Sequence, residues 1–242
     1  MASDHVYIKY SATPNWGLNG GNLKTVWRLG MKYGESVFDI GYLIFAIVTG
    51  GLLMIRKEKS SRYMGVAVFV LGFGDAFHLV PRVLNYFVNA DYTTALGLGK
   101  LVTSITMTVF YILAYRIWLI VYGEEEKKKL SISLYILALI RIILCLMPQN
   151  NWTGNESPVI WGIIRNMPFL AIGMIMIILF YKKRKDNSSL SMIWLYILLS
   201  FLFYMPVATA VSYIPMLGML MLPKTVCYIL IVWSFYRYQR EK

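Results

Sequence analysis

The chain has 242 residues, of which 58% are hydrophobic and only 15% charged, with a formal net charge of +12 and a mean hydropathy of +0.57. An ordinary globular domain holds about 45–50% apolar residues even with glycine counted, so this composition excludes a typical soluble domain. Apolar runs fill so much of the chain that no room is left for a soluble catalytic domain.

The first 36 residues lack the basic start and continuous apolar core of a signal peptide. Residues 22–33 set Leu23, Val26, Trp27 and Gly30 on one side of a helix and Lys24, Arg28 and Lys32 on the other, the pattern of a helix lying on a membrane surface. An extracytoplasmic lead broken by Pro14, Gly17, Gly20 and Gly21 fits that stretch equally well. Residues 37–242 read as a seven-helix transmembrane domain, with spans at 37–55, 63–88, 96–121, 130–148, 158–181, 190–210 and 213–237. A helix rising 1.5 Å per residue needs roughly 20 residues to cross the hydrocarbon layer, and each run has about that length or more. The alternation of barrel strands is absent, so the fold class is an all-α polytopic membrane protein. Short connectors then force consecutive helices to pack as antiparallel neighbours.

Those connectors differ in charge. The first carries Arg56, Lys57, Lys59 and Arg62, the third Lys127, Lys128 and Lys129, and the fifth Lys182, Lys183, Arg184 and Lys185, while the second, fourth and sixth carry no basic residue. The positive-inside rule therefore predicts a plasma (inner) membrane protein with its N-terminus outside and its C-terminus, with Arg237, Arg240 and Lys242, in the cytoplasm. The lead, with Lys9, Lys24, Arg28 and Lys32, opposes this assignment but is outnumbered. Topology and anionic lipid headgroups already require juxtamembrane basic clusters, so the net charge predicts membrane lipids as partners and no nucleic acid. The sequence sets no oligomeric state. Cys145 and Cys227 both fall inside spans and read as small packing residues. Asn151-Trp152-Thr153 and Asn155-Glu156-Ser157 match the glycosylation pattern in the fourth connector.

The polar residues inside the spans carry the functional signal. They are Asp39 in the first, Asp75, His78, Arg82 and Asn85 in the second, Lys100 in the third, Arg141 in the fourth, Arg165 and Asn166 in the fifth, and Lys224 in the seventh. A charge at the centre of a lone membrane helix costs at least about 2.5–3.5 kcal/mol, so these residues are expected to face the bundle interior or a wet cavity. Counting residues from the span ends places Asp75, Arg141 and Lys224 near the midplane, and one cavity shared by these three is the expectation. Asp39, Arg82, Lys100 and Arg165 fall nearer the outer interface, where snorkelling is cheaper.

In the second span Asp75, His78, Arg82 and Asn85 recur at offsets of three, four and three residues, which puts them on one helix face that Pro81 should kink. Asp75 and His78 could form an acid/base pair of a cofactor-free intramembrane enzyme acting on a lipid-like substrate, or Asp75 could lock helices by pairing with Arg141 or Lys224. In the third span Lys100, Thr103, Ser104, Thr108, Tyr111 and Tyr115 form a polar stripe that reads as a pocket wall or as interhelical glue. Pro81, Pro148, Pro168, Pro206 and Pro223 interrupt five of the spans, and proline bends open space for ligands. His5 and His78 are the only histidines and the interior offers two acids, so no metal site is expected.

Within the spans Arg82, Lys100, Arg141, Arg165 and Lys224 outnumber Asp39 and Asp75. A closed interior of ion pairs should be near neutral, so the surplus predicts an anionic partner, a small anion or an amphiphile, entering from the outer side. The ligand-binding set is then Arg82, Asn85, Lys100, Arg141, Arg165, Asn166 and Lys224, with transport or ligand sensing as the function and no cofactor. A structural protein with every charge paired and a dry interior is the contrasting expectation. Seven spans, an outer N-terminus and Lys224 in the last span, within Met221-Leu222-Pro223-Lys224-Thr225, resemble the microbial rhodopsins, and Tyr204-Met205-Pro206 is similar to the aromatic-proline region of their sixth helix. That resemblance implies a retinal Schiff base at Lys224. It departs from the family in the third span, which has no Asp or Glu, and in the absence of an acid one turn before the lysine, so Asp75 would have to serve as counterion.

Overall fold

The computed structural model describes residues 20–88, 90–154, 158–211 and 213–242, with the backbone alone for residues 20–29, 31 and 215. His5, Ser212 and the acceptor pattern at 155–157 lie outside the described residues, as do most side chains of the amphipathic reading at 22–33. Seven helices follow in order: α1 (Gly20–Met54), α2 (Lys59–Phe87), α3 (Thr93–Tyr122), α4 (Lys128–Leu146), α5 (Val159–Lys182), α6 (Ile193–Ala210) and α7 (Met221–Arg240). Short 3-10 turns at Pro148–Asn150 and Pro215–Leu220 follow α4 and precede α7. All seven helices contain a stretch long and apolar enough to cross a membrane, and no strand occurs among the described residues. The chain is a multi-pass membrane protein by this architecture.

Two units are distinct in the chain, one ending at Phe38 and the other comprising Asp39–Lys242. In the first, the helical backbone begins at Gly20, and the Ser36 hydroxyl donates to the Lys32 carbonyl at 2.8 Å.

The connectors α1–α2, α3–α4 and α5–α6 share one end of the second unit, the basic end, with the C-terminus; the other three connectors share the opposite end. Helices α2 and α3 pack closely along their length. A Cβ on Gly99 would strike the Phe77 carbonyl, and the Thr103 hydroxyl donates across the interface to the Gly74 carbonyl at 3.0 Å. Small residues matter here because lipid gives helices no hydrophobic reason to associate, leaving close backbone approach and interhelical hydrogen bonds to hold them. The interior is filled by Met64, Leu71, Tyr111, Tyr115, Ile172, Phe180, Ile197 and Phe235, all nearly inaccessible. On the outside, α4 shows Ile132, Ile136, Leu139, Ile140 and Ile143, an apolar face suited to lipid.

The five prolines divide between helix interiors and helix ends. Pro81, Pro168 and Pro206 are inside helices. Pro148, by contrast, opens the 3-10 turn after α4, and Pro223 sits in the first turn of α7, where a missing N–H leaves no helical bond unmade. The seventh span also differs from the expectation of 213–237. Its first part is the 3-10 turn Pro215–Leu220 and α7 proper starts at Met221, so Lys224 occupies the first helical turn.

At the basic end cations meet acids. Lys183 contacts Glu124 at 2.8 Å and Asp186 at 3.2 Å, Arg116 contacts Glu126 at 2.8 Å, Arg237 contacts Glu241 at 2.6 Å, and Lys242 lies 3.7 Å from Glu58. The C-terminal turn is fastened further by Arg56, whose Nη1 donates to the Gln239 carbonyl, and by the Ser189 hydroxyl, which donates to Glu241. A hydrogen bond from Lys183 holds the Glu124 carboxyl below its ordinary range, and Glu124 in turn raises the Lys183 ammonium.

Candidate functional site

A cavity of about 360 Å³ opens in the half of the bundle away from the basic end. That volume lies within the roughly 300–1,000 Å³ range of small-molecule sites. Its walls come from six helices: His78 and Arg82 of α2, Lys100, Thr103 and Ser104 of α3, Arg141 of α4, Arg165 and Phe169 of α5, Tyr204 and Val207 of α6, and Met221 and Lys224 of α7. Five cations thus line one cavity, and among the described residues no carboxylate lines it.

Neutral groups hold these cations in place. Arg141 is only 1% exposed, the largest fully buried side chain. Its Nη1 donates to the Asn166 side-chain oxygen at 3.1 Å and to the Arg165 carbonyl at 3.3 Å, and its guanidinium lies over the Phe169 ring at 3.6 Å. Asn166 is fixed in turn, receiving a hydrogen bond from the Tyr204 hydroxyl at 3.0 Å and donating to the Gly162 carbonyl at 2.8 Å. Arg165 donates to the Asn150 side-chain oxygen at 2.7 Å and stacks over Trp152 at 4.3 Å. The ammonium of Lys224 sits 4.7 Å from the Tyr204 ring centre and 5.6 Å from that of Tyr228. Among the described residues no carboxylate comes within 4 Å of Lys100, Arg141, Arg165 or Lys224, whereas Arg82 reaches Asp39 at 3.9 Å.

The segment after α4 forms a rigid lip for this arrangement. Buried Asn150 donates to the carbonyls of Leu144, Cys145 and Met147, capping the end of α4, and the Trp152 indole donates to the Cys145 carbonyl at 2.8 Å. Gly97 of α3 lies so near the Trp152 carbonyl that a side chain there would collide with it. Phe169 of the cavity wall belongs to a cluster of packed aromatic rings. Tyr111 packs edge-on against Phe169 at 5.2 Å, Phe169 meets Phe201 at 4.9 Å, and the Tyr111 and Tyr228 hydroxyls bond at 3.3 Å, all four rings being buried.

The structure separates the residues expected to act together. Arg82, Lys100, Arg141, Arg165 and Lys224 converge, as does His78. Asp75 does not line the cavity; it faces α1, where its carboxylate accepts a 2.7 Å hydrogen bond from the Tyr42 hydroxyl. Among the described residues it makes no contact within 4 Å with Arg141 or Lys224 and no hydrogen bond with His78, whose Nδ1 is buried without a partner. The direct hydrogen bond between Asp75 and His78 is therefore not made, while Asp75 stays within electrostatic reach of Lys224. Asn85 is exposed and outside the cavity, and Asn166 lies behind Arg141, where it positions the guanidinium. The polar stripe of α3 divides: Lys100, Thr103 and Ser104 reach the cavity, while Thr108, Tyr111 and Tyr115 are buried and bond Ser104, Tyr228 and Ser131.

Sequence reasoning missed Asn150, Trp152, Phe169 and Tyr204 as partners of cations. The available signal was the shortage of intramembrane acids, which requires neutral partners, although which ones is set only by the packing. Comparison with protein-family models, curated proteins and solved structures finds no match for this chain.

Proposed function

We propose that this protein binds an anionic amphiphile or small anion within the membrane, as a ligand sensor or transporter. The observation that carries the reading is the convergence of Lys100, Arg141, Arg165 and Lys224 on one cavity with aromatic rings and amides, rather than carboxylates, beside them. Burying charge is expensive unless it is compensated, and cation–π contacts of about 0.5–2 kcal/mol compensate only partly. An incoming anion completes the compensation. The cavity's place in the half away from the basic end favours a site reached from the end opposite the basic connectors, which the charge bias assigns to the outside.

The test is a titration of the purified full chain in neutral detergent with dodecanoate and with dodecylamine, read by tryptophan fluorescence. Saturable binding of the carboxylate but not the amine is expected, weakened about tenfold in Lys100→Ala and in Lys224→Ala. Equal binding of both amphiphiles, or affinities unchanged by both substitutions, would overturn the reading. A visible absorption band on adding retinal, lost in Lys224→Ala, would replace it with a photoreceptor.

A further inference from the structure

We infer that the ligand of the cavity is a phosphate monoester bearing an apolar substituent, an assignment that rests on the anion-binding reading and narrows it. Three features lead there: net charge, the directions of the donors, and the unequal character of the walls.

Arg82 leans to Asp39, leaving four lining cations with no carboxylate within 4 Å among the described residues, Asp75 acting on Lys224 only from outside the cavity. A carboxylate ligand would neutralise one of them and leave a surplus that Asp75 only partly offsets, whereas a phosphate monoester near full ionisation carries about two charges. The dianion brings the site closer to neutrality.

Directions point the same way. Arg141 and Arg165 each donate through Nη1 within the protein, and the Nε of Arg141 is buried without a hydrogen-bond partner. The ammonium groups of Lys100 and Lys224 approach from two further helices, so donors arrive from α3, α4, α5 and α7. A carboxylate presents two oxygens in one plane. A phosphate monoester presents three terminal oxygens on a tetrahedral centre, which suits donors converging from separate helices, and its oxygens match the guanidinium fork. The hydroxyls of Thr103 and Ser104 spend their protons on the carbonyls of Gly74 and Lys100, and so add no competing donor.

The cavity is far larger than a phosphate group alone, and its remaining wall is apolar: Val207, Ala208 and Val211 of α6 and the residue after it, Val159 of α5, and Met221 of α7. An alkyl or isoprenoid substituent fits that wall, while free phosphate would leave it unused.

The experiment titrates the purified full chain in neutral detergent at pH 8 with hexyl phosphate, hexanoate and inorganic phosphate, by calorimetry. Hexyl phosphate is expected to bind at least tenfold more tightly than either of the others. Hexanoate binding as tightly as hexyl phosphate would remove the phosphate assignment and leave anion binding intact. Inorganic phosphate binding as tightly would remove the apolar substituent and make the source a free ion. Failure of all three, together with failure of dodecanoate to bind, would sink the anion-binding reading itself.

Discussion

The two ends of the bundle treat positive charge in opposite ways. At the basic end Lys183, Arg116, Arg237 and Lys242 each meet a carboxylate, and the pairs are open to solvent. At the other end Arg141, Arg165 and Lys224 meet Phe169, Trp152, Tyr204, Tyr228 and two asparagines. Exposed ion pairs are worth about 0–1 kcal/mol and water screens any mismatch, so little follows from how they are arranged. In the membrane interior no such screening exists. A cation held there by rings and amide oxygens keeps its charge available, because those partners orient it without neutralising it. The difference separates charge that sets topology from charge that waits for a ligand.

Putting a carboxylate into the cavity should break this distinction most strongly. Ser104→Asp places an acid on the α3 wall beside Lys100 and Arg141, converting the cavity end to the chemistry of the basic end. Affinity for an anionic amphiphile should fall about 100-fold, roughly 2.8 kcal/mol, while the thermal midpoint stays level or rises. A lowered midpoint with unchanged affinity would show that the cations already have their anion within the protein.

Arg141→Lys comes next. It keeps the charge but loses the planar fork that bonds Asn166 while stacking on Phe169. About a tenfold loss of anion affinity is expected in titration, with a smaller loss for Arg165→Lys, which sits on the more open Trp152 lip. Equal and negligible effects in both would mean that point charge alone suffices.

The helices and the cations themselves were legible in the sequence, because hydrocarbon thickness dictates span length and an intramembrane charge stands out against its surroundings. The partners were not. In α2 the residues Asp75, His78, Arg82 and Asn85 share a stripe roughly 80° wide at 100° per residue, and one neighbour cannot cover all of it. Tyr42 of α1 claims Asp75, the cavity takes His78 and Arg82, and Asn85 runs past the rim. Periodicity tells which residues share a face; the neighbouring helix decides what each part of that face meets. Phe169 and Trp152 are likewise ordinary apolar residues in one dimension and become cation partners only when α4 and α5 meet.

Removing a positioning group probes the cavity end more gently. Tyr204→Phe deletes the hydroxyl that donates to Asn166 but keeps the ring facing Lys224. Asn166 can still accept from Arg141, so a two- to threefold weakening of anion binding is expected in the same titration. Tyr204→Leu, which also removes the ring, should cost more. If both variants lose affinity equally, the ring contributes nothing and the hydroxyl network alone orients the site.

The smallest effect belongs to the basic end and concerns pH. Glu124 is held below its ordinary range by Lys183, so its contribution to stability is present above the unfolded carboxylate value and disappears as pH falls through the lower folded value. Lys183 is raised, so its share is full below the unfolded lysine value and is lost as pH rises past the folded one. Between those limits the pair is intact, and Glu124→Gln should lower the thermal midpoint near neutral pH only slightly, since solvent screens an exposed pair. Once the pH has fallen below the folded value of Glu124, the variant and the parent should coincide. Raising salt should shrink the neutral-pH difference, because screening acts on exposed pairs, yet leave anion affinity in the enclosed cavity much less affected. Equal salt sensitivity at both ends would place the cavity cations in bulk water and remove the reason for contrasting them with the basic end.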